Sequence, residues 1–356
     1  MSAAAAPHSP DPSPSPAKVL IVDDSAVARA VIGRVIDGSG RYRIAGAVPS
    51  ASAALRFLAE QQVAYILLDI NLPGVDGITA LPDLIAAGGT AKVLIVSSAA
   101  ADGAAQTVQA LAFGAADTLE KPETGALSAR FGTALLDKLD RLGERPGFAA
   151  PAFQTLPAAR ATPADAYDLV AIGASTGGIH ALSRLLRELP AGFPLPVLIT
   201  QHLPATFMPY FAAQLALLAG RPCDVATDRL RVRPGRLIVA PGDAHLCVAA
   251  LPEGGACVRL STAPAASGCM PSVDPMLASV AVAFGPRAIG VVLSGMGRDG
   301  AEGARCLRDS GGAVVVQDQE SSVVWGMPGA VAAAGVADAM LPPDAIGRLL
   351  AERRRP

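Results

Sequence analysis

Residues 18–36 read KVLIVDDSAVARAVIGRVI. The first five positions form a short apolar run that stops at Asp23 and Asp24, and the pattern then changes to the three-to-four-residue apolar period of a helix. A buried strand running through an acidic turn into a helix is the opening of a parallel α/β unit. The alternation continues outward through RIAGAV, SAALRFLAE, AYILLD, ITALPDLIAA, KVLIVS, AAQTVQALAFGA, DTLEK and LSARFGTALLDKL. Five strands alternating with helices imply a parallel sheet covered on both faces.

On either side of this block the pattern changes. Residues 1–17 are rich in Ala, Ser and Pro without an apolar period, and read as a disordered tail. Residues 143–167, GERPGFAAPAFQTLPAARATPADAY, lose the periodicity and read as a linker. A second alternation then starts at DLVAIG and continues through LPVLITQH, RLIVAPG, AIGVVLSGMG and AVVVQD. The predicted fold is α/β: two doubly wound parallel-sheet domains, residues 18–142 and 168–356, joined by a Pro/Ala-rich linker. No repeat at solenoid periods occurs.

Composition narrows the function classes. A net charge of −2 offers no global attraction for nucleic acid, and no basic cluster or helix-turn-helix pattern is present. Every apolar run is broken well short of the roughly 18–20 residues that cross a bilayer, so no membrane insertion is expected. The N-terminus lacks the charged and apolar regions of a signal peptide, which predicts a cytoplasmic location. The five cysteines form no CxxC pair and suit reduced thiols.

In a parallel sheet, functional groups gather beyond the carboxyl ends of the strands. Asp23 and Asp24 end the first predicted strand, Asp69 the third and Ser97 the fourth, while Lys121 follows the fifth. Three crowded carboxylates repel one another, and a hard divalent cation such as Mg²⁺ relieves the repulsion. One aspartate then serves as nucleophile toward phosphorus, with the metal and the lysine neutralising phosphoryl oxygens and Ser97 bonding the transferred group. The ordered motifs LIVDDS, LLDINLPGVDG, IVSS and EKP resemble the response-regulator receiver domains. The resemblance implies that Asp69 accepts a phosphoryl group from a histidine kinase, that Asp24, Asp69 and the Asn71 carbonyl hold Mg²⁺ with help from Asp23, and that Ser97 and Lys121 sense the phosphorylated state. Thr118 stands where such domains commonly carry an aromatic residue, so the usual aromatic switch is missing.

The second block centres on Gly173-Ala174-Ser175-Thr176-Gly177-Gly178, between a predicted strand and a predicted helix. Small neighbours let the backbone turn sharply and present the Ser175 hydroxyl at a helix N-terminus, in the G-x-S-x-G pattern of a nucleophile elbow. A Gly-rich turn of this kind also cradles phosphates, so a base and an orienting acid are needed. Of the four histidines, His8 lies in the tail, His180 lies on the following helix as a surface or packing residue, and His245 lies in the loop PGDAH. His202 sits just past a strand end and is the preferred base. Among Asp243, Asp274 and Asp299, only Asp299 follows a strongly apolar strand, in GVVLSGMGRDG, and is the preferred partner of His202. The chain order Ser, His, Asp differs from that of the α/β-hydrolases.

The ordered motifs IGASTGG, ITQHLP, IVAPGDAH, PSVDPM, LSGMGRDG and GMP resemble the catalytic domain of the chemotaxis protein-glutamate methylesterases. By that resemblance Ser175 is the nucleophile, His202 the base and Asp299 its partner. The substrate is then a methylated glutamate on the cytoplasmic helices of a chemoreceptor, with deamidation of receptor glutamine as a further activity. The chemistry runs through an acyl-enzyme, with backbone N–H groups of Thr176 and Met296 as the oxyanion hole and no cofactor for ester hydrolysis. Cys269-Met270 stands before PSVD where the family usually has a basic residue. The alternative reading is a phosphorylation-dependent binding module that keeps an inactive hydrolase fold, and the complete Ser/His/Asp set argues against it.

Overall fold

In the computed structural model, which describes residues 16–97, 101–121, 129–143 and 167–353, the KVLIV run forms β1 (Ala17–Val22). Val19 to Val22 are buried because helices cover both faces of the sheet. Ser25 caps α1 (Ala26–Gly38), its hydroxyl accepting from Ala28 N. β2 (Tyr42–Val48), α2 (Ala51–Glu60), β3 (Tyr65–Leu68) and α3 (Gly77–Gly88) follow, then β4 (Lys92–Ser97), α4 (Ala101–Ala112), β5 (Asp117–Glu120) and α5 (Ala129–Gly143). The five strands pair in parallel in the order β2-β1-β3-β4-β5. Winding reverses between β1 and β3, which opens a crevice at their carboxyl ends. The predicted tail up to residue 15 and the predicted linker over residues 144–166 lie outside the described residues.

The second sheet is built on β6 (Leu169–Ala174), whose six residues are all buried. After it come α6 (Gly178–Arg187), β7 (Val197–Gln201), α7 (Met208–Ala219), β8 (Cys223–Val225), β9 (Arg231–Val232), β10 (Leu237–Val239), β11 (His245–Ala250) and β12 (Ala256–Ser261). The chain closes with α8 (Val273–Phe284), β13 (Ala288–Val292), α9 (Ala301–Asp309), β14 (Ala313–Gln317), α10 (Met327–Ala333), β15 (Ala339–Leu341) and α11 (Pro343–Ala351). Seven strands run parallel in the order β15-β14-β13-β6-β7-β10-β8. The α/β class is as expected, with one addition: β11, β12 and β9 form a small antiparallel sheet. Winding reverses at β6, so the turns after β6, β7 and β13 converge on one crevice.

The two sheet domains touch. α4 packs on α6 and α7, Gly177 N donates to Ala116 O at 3.0 Å, and Lys92 Nζ donates to both Leu142 O and Val323 O. No helix among the described residues is long and apolar enough to cross a membrane.

Candidate active site

The crevice of the first domain holds Asp23 and Asp69, both nearly inaccessible, beside the exposed Asp24. One carboxylate oxygen from each lies within 4.8 Å of the others. Arg29 donates to the carbonyls of Asp23 and Asp24 at 2.6 and 2.9 Å, which fixes the acidic turn against α1. Lys121 Nζ stands 2.6 Å from Asp69 Oδ2 and 2.7 Å from Asp23 Oδ2. Burial pushes the Asp69 carboxyl upward against the pull of Lys121. The lysine stays firmly protonated, because its two carboxylate partners outweigh the burial that opposes its charge.

The single Lys121 ammonium is shared by two buried carboxylates, Asp23 and Asp69, with a third acid, Asp24, beside them. An all-oxygen cluster of three carboxylates balanced by one ammonium keeps an excess of negative charge and fits a hard cation such as Mg²⁺. Asn71 N donates to Asp69 Oδ1 at 3.3 Å, which brings its backbone to the same place. The Ser97 hydroxyl lies 3.4 Å from Thr107 Oγ1, while its carbonyl accepts from Lys121 N at 2.7 Å. Ser97 therefore reaches the acidic cluster through its backbone partner Lys121.

In the second domain Ser175 leaves β6 in a tight turn held from three sides. Its N–H donates to Ser294 O at 3.0 Å, and its carbonyl accepts from Gly178 N at 2.8 Å and from Gln201 Nε2 at 2.9 Å. Gly177 takes φ +75°, and a Cβ there would lie 2.4 Å from Val323 Cβ. A Cβ on Gly295 would meet Ser175 Cβ at 2.8 Å, so the strand-end loop after β13 approaches the serine only because that position is glycine.

His202 follows β7 directly, and its Nε2 stands 2.7 Å from Asp299 Oδ2. Asp299 accepts further bonds from Val273 N at 2.7 Å on Oδ2, and from Ser272 Oγ at 2.6 Å and Asp274 N at 3.3 Å on Oδ1. Burial alone would raise the Asp299 carboxyl, but the bonds from His202, Ser272 and Val273 hold it well below the usual carboxylate range. Burial likewise opposes charge on His202, yet Asp299 and then Cys269 win, and the imidazole is raised to about 9. Among the described residues no hydrogen bond joins Ser175 to His202, although both line one cavity.

That cavity, of about 270 Å³, lies between the domains. Ser175, Thr176, Gln201, His202, Cys269 and Met296 face Asp117, Thr118, Lys138 and Arg141 across it. Neither Thr176 N nor Met296 N donates a hydrogen bond among the described residues, and both residues line the cavity. Thr176 Oγ1 donates to Asp117 Oδ2 at 3.2 Å, and Asp117 also pairs with Lys138 at 2.8 Å. Thr118 thus lies on β5 facing the crevice of the other domain.

The remaining candidates separate cleanly. Asp243 is exposed, and Asp274 accepts from Gly303 N at 2.8 Å behind Asp299. His180 is a packing residue, its Nδ1 3.2 Å from Ala112 O across the domain boundary. His245, expected in a loop, is instead the buried first residue of β11, because the turn at Gly242 delivers the chain directly into the antiparallel sheet. Its Nδ1 accepts from Ser272 N at 2.9 Å and its Nε2 lies 2.8 Å from Ala263 O. Sequence reasoning missed Ser272, Gln201 and Cys269 as neighbours of the cleft. The first two stand inside quoted motifs, PSVDPM and ITQHLP, whereas Cys269 had registered only as a lost charge.

A receiver-type domain docked over an α/β output domain of this kind defines a response regulator whose output is a hydrolase. Residues 19–130 match the response regulator receiver domain and residues 170–350 the CheB methylesterase. Over 345 residues the chain is 41% identical to protein-glutamate methylesterase/protein-glutamine glutaminase 2 of Caulobacter vibrioides, covering 95% of this chain and 99% of that protein. It is 36% identical over 364 residues to protein-glutamate methylesterase/protein-glutamine glutaminase 1 of Paramagnetospirillum magneticum, covering 94% and 95%. The crystal structure of the Thermotoga maritima CheB methylesterase catalytic domain superposes with a TM-score of 0.51 at 36% identity, covering 52% of this chain and 98% of that one. The chain belongs to the CheB methylesterases, carboxylic ester hydrolases of chemotaxis that carry a receiver domain.

Proposed function

We propose that this protein is a phosphorylation-activated protein-glutamate methylesterase and protein-glutamine deamidase that acts on the cytoplasmic helices of a chemoreceptor. The observation that carries the reading is the shared cavity, where the β5 and α5 side of the receiver covers Ser175 and His202. Neutral His202 takes the proton of Ser175 as Oγ attacks the ester carbonyl, while Asp299 holds the imidazole and balances the charge that forms on it. The unused N–H groups of Thr176 and Met296 stabilise the oxyanion. The tetrahedral species collapses as His202 returns the proton to departing methanol. Water, activated by the same histidine, then releases the glutamate carboxylate.

Asp69 is the phosphoacceptor and a histidine kinase the donor. Asp24, Asp69 and the Asn71 carbonyl would hold Mg²⁺, with Asp23 assisting, and the ion would supply positive charge beside the phosphoacceptor. Lys121 follows the new charge, and its backbone tie to Ser97 carries the change toward the strands next to the cover. The docked state then loses population rather than being remodelled. The test is initial methanol release from methylated receptor by the full-length chain, with and without a small-molecule phosphodonor, in the parent and in Asp69→Asn. Stimulation should occur in the parent alone. Equal rates in all four measurements would reject phosphorylation control.

A further inference from the structure

His202, Cys269 and Asp299 bring an imidazole nitrogen, a thiol sulfur and a carboxylate oxygen within 4.8 Å of one another. Ester hydrolysis uses two of these groups and leaves Cys269 without a part. The thiol sulfur nevertheless lies within 4.8 Å of a His202 ring nitrogen, and Cys269 lines the same cavity as Ser175. Sulfur with imidazole is a donor pair suited to borderline-soft ions such as Zn²⁺, whereas Mg²⁺ prefers oxygen.

The geometry decides which atoms ligate. His202 Nε2 and Asp299 Oδ2 are 2.7 Å apart. Two ligands about 2.0–2.2 Å from a tetrahedral zinc stand roughly 3.3 Å from one another, so these two atoms do not share an ion. Both Asp299 oxygens are also held by Ser272, Val273 and Asp274. The imidazole nitrogen left for a metal is Nδ1, and Asp299 becomes the carboxylate that orients the ligating histidine from its far side.

We propose that the catalytic cleft is an inhibitory site for a thiophilic divalent transition-metal ion, ligated by His202 Nδ1 and Cys269 Sγ with the Ser175 hydroxyl or water completing the shell. Binding releases the Cys269 thiol proton to solvent and leaves every oxidation state unchanged. The metal occupies the lone pair that would accept the Ser175 proton, so metal loading and ester hydrolysis exclude each other. The inhibition rests on His202 being the base; the binding does not.

Titration of the full-length chain with Co²⁺ tests the site without any turnover. A thiolate-to-cobalt charge-transfer absorption should grow to one equivalent in the parent and in Asp69→Asn, and should be absent from Cys269→Ser. Zn²⁺ should displace the band and suppress methyl ester hydrolysis in parallel, reversibly with a chelator. The zinc concentration for half-inhibition should rise at least tenfold in Cys269→Ser. A band that persists in Cys269→Ser, or no band in folded parent protein, overturns the site. A Cys269-dependent band with undiminished hydrolysis overturns the inhibitory role.

Discussion

Asp69 directly follows a parallel strand and Asp299 lies in the loop beyond another; both are buried carboxylates, and their neighbours make them opposites. Asp69 is met by one ammonium and one weak backbone donor, beside a second carboxylate, and burial leaves its charge poorly compensated. Asp299 receives bonds from an imidazole, a hydroxyl and two backbone N–H groups, and its negative charge is pinned. An under-solvated carboxylate favours a cation or an electrophile, whereas a saturated one serves as a fixed anchor. The same side chain is thus a candidate nucleophile in one domain and an orienting group in the other.

The largest test of this contrast removes the group that Asp299 ultimately serves. Ser175→Ala should lower the rate of ester hydrolysis by roughly 10³-fold or more, and His202→Ala by a similar factor, because members of a triad act as a unit. Retention of activity within tenfold in either variant breaks the assignment. The next effect concerns the cover. A fragment starting near Ala164 should demethylate receptor roughly ten- to a hundredfold faster than the unphosphorylated full-length chain, the range of a typical coupling between sites. A slower fragment would favour a receiver that recruits the enzyme to its substrate.

A smaller effect is expected one step behind the anchor. His245→Ala frees Ser272 N, and through Ser272 it loosens Asp299. The expected loss is roughly tenfold in kcat with little change in KM, far less than for His202→Ala. The mildest change is a shift along the pH axis. Imidazolium cannot take a proton, so hydrolysis should rise with pH through the His202 value of about 9. Contact with Cys269 helps to raise that value, so Cys269→Ser should move the rising limb to lower pH in a pH profile of kcat/KM. A limb that stays in place would show that Asp299 alone sets the basicity of His202.

Much of the architecture was legible because it is local. The aliphatic run at β1 and the small residues around Ser175 each carry their structural reason within a few positions. The convergence of Ser175, His202 and Asp299 follows from strand ends meeting at a switch point, which sequence order and a parallel sheet already imply. The antiparallel sheet was not legible, since β9 is two residues long and β11 starts at a histidine. The contact of Ser272 with Asp299 spans 27 positions, and the approach of Cys269 to His202 joins a segment without apolar period to a strand end. Docking of α4 on α6 and α7 likewise depends on tertiary fit between segments far apart in the chain.

The wall that the receiver places over Ser175 has a consequence for how control is felt by different molecules. Asp117, Thr118, Lys138 and Arg141 line that side of the cavity. A helix with its side chains is about 10–12 Å across, whereas a compact ester has only a few heavy atoms to pass beside that wall. The covered cleft should therefore sort its substrates by bulk. Regulation measured with a small chromogenic ester should then look weak, and the same enzyme measured with folded receptor should look tightly controlled.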